Sequence, residues 1–132
     1  MESTNVNPFG HLDLRVADMA DALPFYGALL PALGFVDEYH DEVWKVWAVP
    51  GTLPAAPYFA VTEEPGHVAN GTRVALWVAS PADVDRVAAV AREAGADIES
   101  GPRPCPNYDP SYYAVFFGDP SGNRLEAYYR TA

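Results

Sequence analysis

From His11 to Val16 the chain alternates polar His11, Asp13 and Arg15 with apolar Leu12, Leu14 and Val16, the two-residue period of a strand with one buried face. Leu23, Phe25, Tyr26, Leu29, Leu30 and Leu33 then recur at helical spacing. Asp18 or Asp21 can cap this helix, and Pro24 favours Asp21 because proline is tolerated only in the first turn. Pro31 is expected to end or kink the helix, and Gly34 closes the unit. Val36 to Tyr39, Val43 to Val49 and Tyr58 to Glu63 read as strands, separated by the turn His40-Asp41-Glu42 and the loop Pro50-Gly51-Thr52-Leu53-Pro54.

The same order then restarts. Gly10 to Ala22 lines up without gaps on Thr72 to Val84, with Leu14/Leu76, Val16/Val78, Ala17/Ala79, Ala20/Ala82 and Asp21/Asp83 identical. The similarity reaches Gly34 and Gly95 after a shift of one residue. A repeat of this length is an architectural unit. In the second copy Ser80-Pro81 with Asp83 is a helix start, Val84, Val87, Ala88, Ala91 and Ala94 form the apolar stripe, and Gly95 stops it. Ile98 to Gly101, Tyr113 to Gly118 and Arg124 to Tyr129 are three more strands, the last two joined by the turn Asp119-Pro120-Ser121-Gly122-Asn123. Pro102 to Tyr112, with four prolines and no periodicity, reads as a lid or binding loop. The expected fold is α+β: one domain over 1–132, made of a module at about 9–63, a linker at 64–71 and a module at about 72–130.

Composition narrows the partners. At 132 residues and 49% apolar content the chain can bury one good core, so the two modules share a domain. The net charge of −10 excludes a nucleic-acid backbone as partner, since that recognition needs clustered Lys and Arg. No run of about 18 apolar residues suggests a membrane span, and Met1 to Asn5 lacks the pattern of a signal peptide. The single Cys105 fits a reducing compartment and reads as a loop thiol, so a cytoplasmic protein with small molecules or other proteins as partners is expected.

Two strand-helix-three-strand modules with Gly10-His11-Leu12-Asp13-Leu14, Phe25-Tyr26 through Leu33-Gly34-Phe35, and Phe117-Gly118-Asp119-Pro120-Ser121-Gly122-Asn123-Arg124-Leu125-Glu126 resemble the vicinal-oxygen-chelate superfamily of glyoxalase I, bleomycin-resistance proteins and extradiol dioxygenases. The resemblance runs from Phe9 to Tyr129. It implies sheets curled around a cleft, a homodimer with modules paired within or between chains, and a divalent metal held by the first and last strands of the modules. Those slots hold His11, about Phe59, Arg73 and Glu126. His11 and Glu126 are suitable ligands for Zn, Ni, Mn or Fe, but Phe59 has no donor atom and Arg73 no lone pair to offer. Two arrangements follow. In one the Arg73 guanidinium takes the ion's place and pairs with Glu126, leaving the site without metal. In the other a weak metal site is completed by water, substrate or a further side chain.

Alternation puts His11, Asp13 and Arg15 on one face, Arg73, Ala75 and Trp77 on another, and Arg124, Glu126 and Tyr128 on a third. Asp13, Arg15 and Arg124 suit either a solvated ion pair or ligand contact, and Trp77 and Tyr128 either packing or stacking on a ligand. Tyr108, Tyr112 and Tyr113 either cover the cleft or anchor their loop. Trp44 and Trp47 lie on opposite faces, and His40 and His67 fall in turns expected to be exposed. The expected substrate contacts are Asp13, Arg15, Arg73, Trp77, Tyr113 and Tyr128, with His11 and Glu126 as proton-moving groups. Four readings remain open: a cleft protein with a depleted ligand set that binds or acts on a small molecule, a metal-dependent lyase, isomerase or dioxygenase, a drug-sequestering protein without turnover, and an interaction domain that has kept the fold and lost the site.

Overall fold

The computed structural model describes residues 8–51 and 56–131. Thr52 to Pro54 of the first-module loop and the N-terminal stretch Met1 to Asn5 therefore lie outside the described residues. The elements run β1 (His11–Val16), α1 (Met19–Ala32), β2 (Asp37–His40), β3 (Trp44–Ala48), β4 (Tyr58–Glu63), β5 (Arg73–Trp77), α2 (Pro81–Glu93), β6 (Asp97–Pro104), β7 (Tyr113–Gly118) and β8 (Arg124–Tyr129). They form two four-stranded sheets, β1-β4-β3-β2 and β5-β8-β7-β6. In each, the first strand of a module runs parallel to its last and the other pairs are antiparallel. This is the expected α+β arrangement of two βαβββ modules, with two open sheets and no closed barrel.

The repeat is visible at the helix starts. Asp18 caps α1, accepting Ala20 N–H at 2.8 Å, and its aligned partner Ser80 caps α2, accepting Asp83 N–H at 3.1 Å. The cap at Asp18 corrects the expectation of Asp21. Helix α1 starts three residues earlier than Pro24 suggested and carries both Pro24 and Pro31 inside it. Packing offsets the loss of backbone bonding, because Ala22, Phe25, Tyr26, Leu29 and Leu30 are all buried. Strand β6 also exceeds its expected length, running on to Pro104 through register shifts at Ser100 and Arg103.

One hydrophobic core serves both modules: Phe25, Tyr26, Leu29 and Leu30 of α1 and Val84, Val87, Ala88 and Ala91 of α2 join Trp47, Phe59 and Val61 of the first sheet and Val115, Phe117, Leu125 and Ala127 of the second. Polar bonds reinforce the seam. In the turn before β8, Asp119 accepts the Tyr26 hydroxyl at 2.5 Å and the backbone N–H groups of Ser121 and Asn123 at 2.8 Å each. Asn123 Nδ2 donates to Arg15 O at 2.8 Å, and Ala17 N–H donates to Ser121 Oγ at 2.9 Å. His67 belongs to the same seam: its side chain is 17% exposed and its Nε2 lies 2.9 Å from Asn123 Oδ1. That corrects its expected exposure. No helix among the described residues is long and apolar enough to cross a membrane.

Candidate functional site

Because side chains alternate across a strand, burying Leu12, Leu14, Phe59 and Val61 toward the helices turns the other parity outward. On the first sheet the helix-free face carries His11, Asp13 and Arg15 of β1 beside Tyr58, Ala60 and Thr62 of β4. His11 stacks on Tyr58, ring centroids 4.6 Å apart and planes 2° apart, and Trp44 meets Tyr58 edge-on at 5.7 Å. Asp13 accepts Arg15 Nη1 at 2.8 Å and Thr62 Oγ1 at 3.2 Å. Arg15 and Asp13 thus form an exposed pair, the kind worth little to stability. Trp47 points the other way, into the core, with its indole N–H on Glu38.

The second sheet's helix-free face is ordered in rows by its register. Arg73 lies beside Arg124; Ala75 beside Glu126 and Phe116; Trp77 beside Tyr128 and Ala114. Glu126 is 5% exposed and accepts the hydroxyl of Tyr112 on Oε2. Burial and the Glu126 carboxylate both hold the Tyr112 phenol well above its usual pKa, so Tyr112 remains a proton donor. Its ring stacks on Tyr128 at 5.0 Å, Tyr128 lies nearly parallel to Trp77 at 6.1 Å, and Tyr108 meets Tyr112 edge-on at 5.1 Å.

Tyr112 is held by the loop that lacked periodicity. Cys105 N–H bonds Tyr112 O at 2.8 Å, Tyr108 N–H bonds Cys105 O at 3.0 Å, and Tyr112 N–H bonds Asp109 O at 3.0 Å. The Asp109 carboxylate takes both the N–H and the hydroxyl of Ser111, which lower its pKa. The loop is therefore a closed turn, and Cys105 is fully buried beneath it, against Ala114 and Phe116.

Several expected site residues fall elsewhere. Arg73 donates Nη1 to Leu125 O and Nη2 to Glu99 Oε2, each at 2.9 Å, so its partner is Glu99 and not Glu126. Arg73 sits opposite Arg124, two residues short of the Glu126 row, while β6 brings Glu99 within reach of both arginines, 3.7 Å from Arg124. Tyr113 turns to the helix side and donates to Asp85 of α2 at 2.7 Å, because it shares the parity of core residues Val115 and Phe117. Tyr112, one residue earlier, takes the inward place. Phe59 is likewise a core residue, 2% exposed; the open-face counterpart of Glu126 is Ala60.

The four slots thus hold His11, Ala60, Arg73 and Glu126. Two carry donor atoms a metal could use, one is a methyl group and one is a cation, whichever chain supplies them. That donor set does not fit a resident zinc-type ion, which takes at least three donors from the protein. Among the described residues no three His, Cys, Asp or Glu side chains come together as a metal site.

The Glyoxalase/Bleomycin resistance protein/Dioxygenase superfamily model matches residues 9–127. A glyoxalase/bleomycin resistance protein from Albidiferax ferrireducens is similar in structure, with a TM-score of 0.79 at 24% identity over 95% of this chain and 100% of that one. The fosfomycin resistance protein FosX of Mesorhizobium loti gives 0.68 at 18% identity over 96% and 95%. FosX of Listeria monocytogenes, in a form complexed with Mn(II) and a dihydroxypropylphosphonic acid, gives 0.67 at 13% identity over 93% and 90%. No curated protein matches the chain.

Proposed function

Because the chain belongs to the glyoxalase/bleomycin resistance protein/dioxygenase superfamily, we propose that it binds and acts on a small organic molecule at the helix-free face of its second sheet, with Glu126 as the proton-handling group and no resident metal. One observation carries this reading: a carboxylate only 5% exposed is set on the helix-free face beside exposed Ala75 and held by the hydroxyl of Tyr112. Buried carboxylates are costly unless used or paired, and Tyr112 supplies one donor where a carboxylate can accept several. The Tyr112 bond fixes the Glu126 rotamer, and the aromatic residues beside it exclude water from one flank. Trp77 and Tyr128 would contact the ligand, while Arg73 and Arg124 with Glu99 close the other end.

His11 would act from the opposite wall of a cleft closed by a second copy of the chain. The supporting observation is that each helix-free face keeps an exposed part within one chain, His11, Asp13 and Arg15 on the first and Ala75 and Trp77, the latter 55% exposed, on the second. A cytoplasmic site of action belongs to the same reading, supported by a buried cysteine with no disulfide partner. The second reading, a sequestering protein without turnover, draws on the missing ligands at Ala60 and Arg73, since aromatic walls and fixed charges suffice for binding.

Thermal-shift screening of a small-molecule library separates these readings, because a ligand of the native state raises apparent stability. At least one compound is expected to stabilise the wild type, with the shift lost in Glu126→Gln; a compound bound but returned unchanged in product analysis marks the sequestering reading. Titration with Zn, Ni, Mn and Fe(II) tests the absence of a resident metal. Tight one-to-one metal binding that disappears in His11→Ala would overturn it in favour of a metal-dependent lyase, isomerase or dioxygenase.

A further inference from the structure

The geometry points to a second activity, independent of any ligand: the second sheet carries a path for one-electron oxidation from Trp77 at the β5 edge, across Tyr128, to Tyr112, whose proton passes to Glu126. Trp77 is 55% exposed, so a one-electron oxidant in solution reaches its indole. Tyr128 lies 6.1 Å from it with planes 13° apart, and Tyr112 lies 5.0 Å from Tyr128 with planes 1° apart. Both separations are those of rings in contact. Electron exchange falls off steeply with the gap between rings, and here it is divided into two short steps. Cys105, Ala114 and Phe116 pack against Tyr112 and Tyr128 and keep water from that side of the run.

The path ends at Tyr112 because of its acceptor. Losing an electron makes a phenol strongly acidic, so a tyrosine is most readily oxidised where a base already holds its hydroxyl. Tyr112 donates to Glu126 Oε2, and the carboxylate takes the proton with no heavy atom moving. Tyr26 and Tyr113 are also bonded to carboxylates, Asp119 and Asp85. Neither lies on the run: the rings beside Tyr26 are Phe25 and Phe59, and Tyr113 is turned to the helix side. Electrons and protons balance. The oxidant takes one electron from Trp77 and is reduced, and the indole cation sheds its N–H proton to water. Tyr112 then passes one electron through Tyr128 to the indolyl radical, which recovers a proton from water, while the phenol proton moves to Glu126. Trp77 is restored, leaving a phenoxyl radical on Tyr112 and a protonated Glu126.

Pulse radiolysis with the azidyl radical as oxidant tests the path on the full chain carrying Trp44→Phe. Trp47 is 1% exposed, so Trp77 is then the indole open to solution, and the new phenyl ring keeps its place against Tyr58. The expected result is a prompt indolyl absorption that decays as a phenoxyl absorption grows, at a rate independent of protein concentration. Trp77→Phe should abolish the indolyl signal. Tyr112→Phe and Glu126→Gln should each slow the transfer at least tenfold, whereas Tyr113→Phe should leave it unchanged. Glu126→Gln keeps a side-chain oxygen for the Tyr112 hydroxyl but removes the base, so its effect reads proton transfer and not packing. Transfer at an unchanged rate in Tyr112→Phe or in Glu126→Gln, or a rate that scales with protein concentration, overturns the path. Because the path needs no ligand, losing it leaves the proposed function standing, and a barren ligand screen does not touch it.

Discussion

Tyr26 shows how one hydroxyl can join two halves of a chain. It is fully buried and donates to Asp119 across 93 positions of sequence. Burial, then the charge of Asp119 and the hydrogen bond to it, raise its pKa well above the usual phenol value. A raised pKa means that the folded state favours the protonated form, so its contribution is fully present below about pH 10 and is lost as pH rises through the folded value. Tyr26→Phe is expected to cost about 2 kcal/mol at pH 8, the usual worth of a bond to a charged group, read as a lower urea midpoint with unchanged slope. Its deficit relative to wild type should shrink at pH 11. The sequence did not disclose this bond, because nothing local to Tyr26 or to the Asp119 turn says that the two meet. The same applies to Tyr112: in a proline-rich stretch without periodicity, only its even spacing from Ala114 and Phe116 hinted that it faces Glu126 while Tyr113 does not.

At the level of elements, alternation and the Ser80 cap of α2 were legible, while the cap of α1 and the register were not. Strands β4, β7 and β8 begin and end where their patterns do, because both faces are specified, one by the core and one by polar or aromatic residues. Phe59 was misplaced by one position because a slot transferred by resemblance carries no parity; aligning Tyr58–Glu63 on Arg124–Tyr129 within the repeat points to Ala60. Strand β6 outran its pattern through a backbone detour at Gly101. That residue has φ +88°, and a Cβ added there would lie 2.4 Å from Ala114 O of the neighbouring strand. Gly95 also has a positive φ, +101°, yet a Cβ there would meet nothing within 4 Å. Both Gly→Ala changes incur backbone strain of about 1–2 kcal/mol, and Gly101→Ala incurs the clash besides. Gly101→Ala should therefore be the more destabilising by at least about 1 kcal/mol in paired denaturation curves.

For the whole molecule, a core common to both modules settles what the helices cover and leaves part of each helix-free face exposed, at His11, Asp13 and Arg15 on one and at Ala75 and Trp77 on the other. A dimer is expected, and sedimentation at micromolar concentration checks it; a monomer that nevertheless binds ligand through Glu126 would show that one chain suffices. The repeat itself records a division of labour. Leu14/Leu76 and Val16/Val78, identical in the two modules, all pack into that core, whereas His11/Arg73, Asp13/Ala75 and Arg15/Trp77, all different, lie on the open faces. Packing demands are shared by both copies, but only the second module carries Glu126, against Ala60 in the first. The two faces are no longer interchangeable. A symmetric dimer that lays the first face of each chain against the second face of the other therefore has two equivalent clefts, each lopsided, and saturates at two ligands per dimer rather than one on the axis or four.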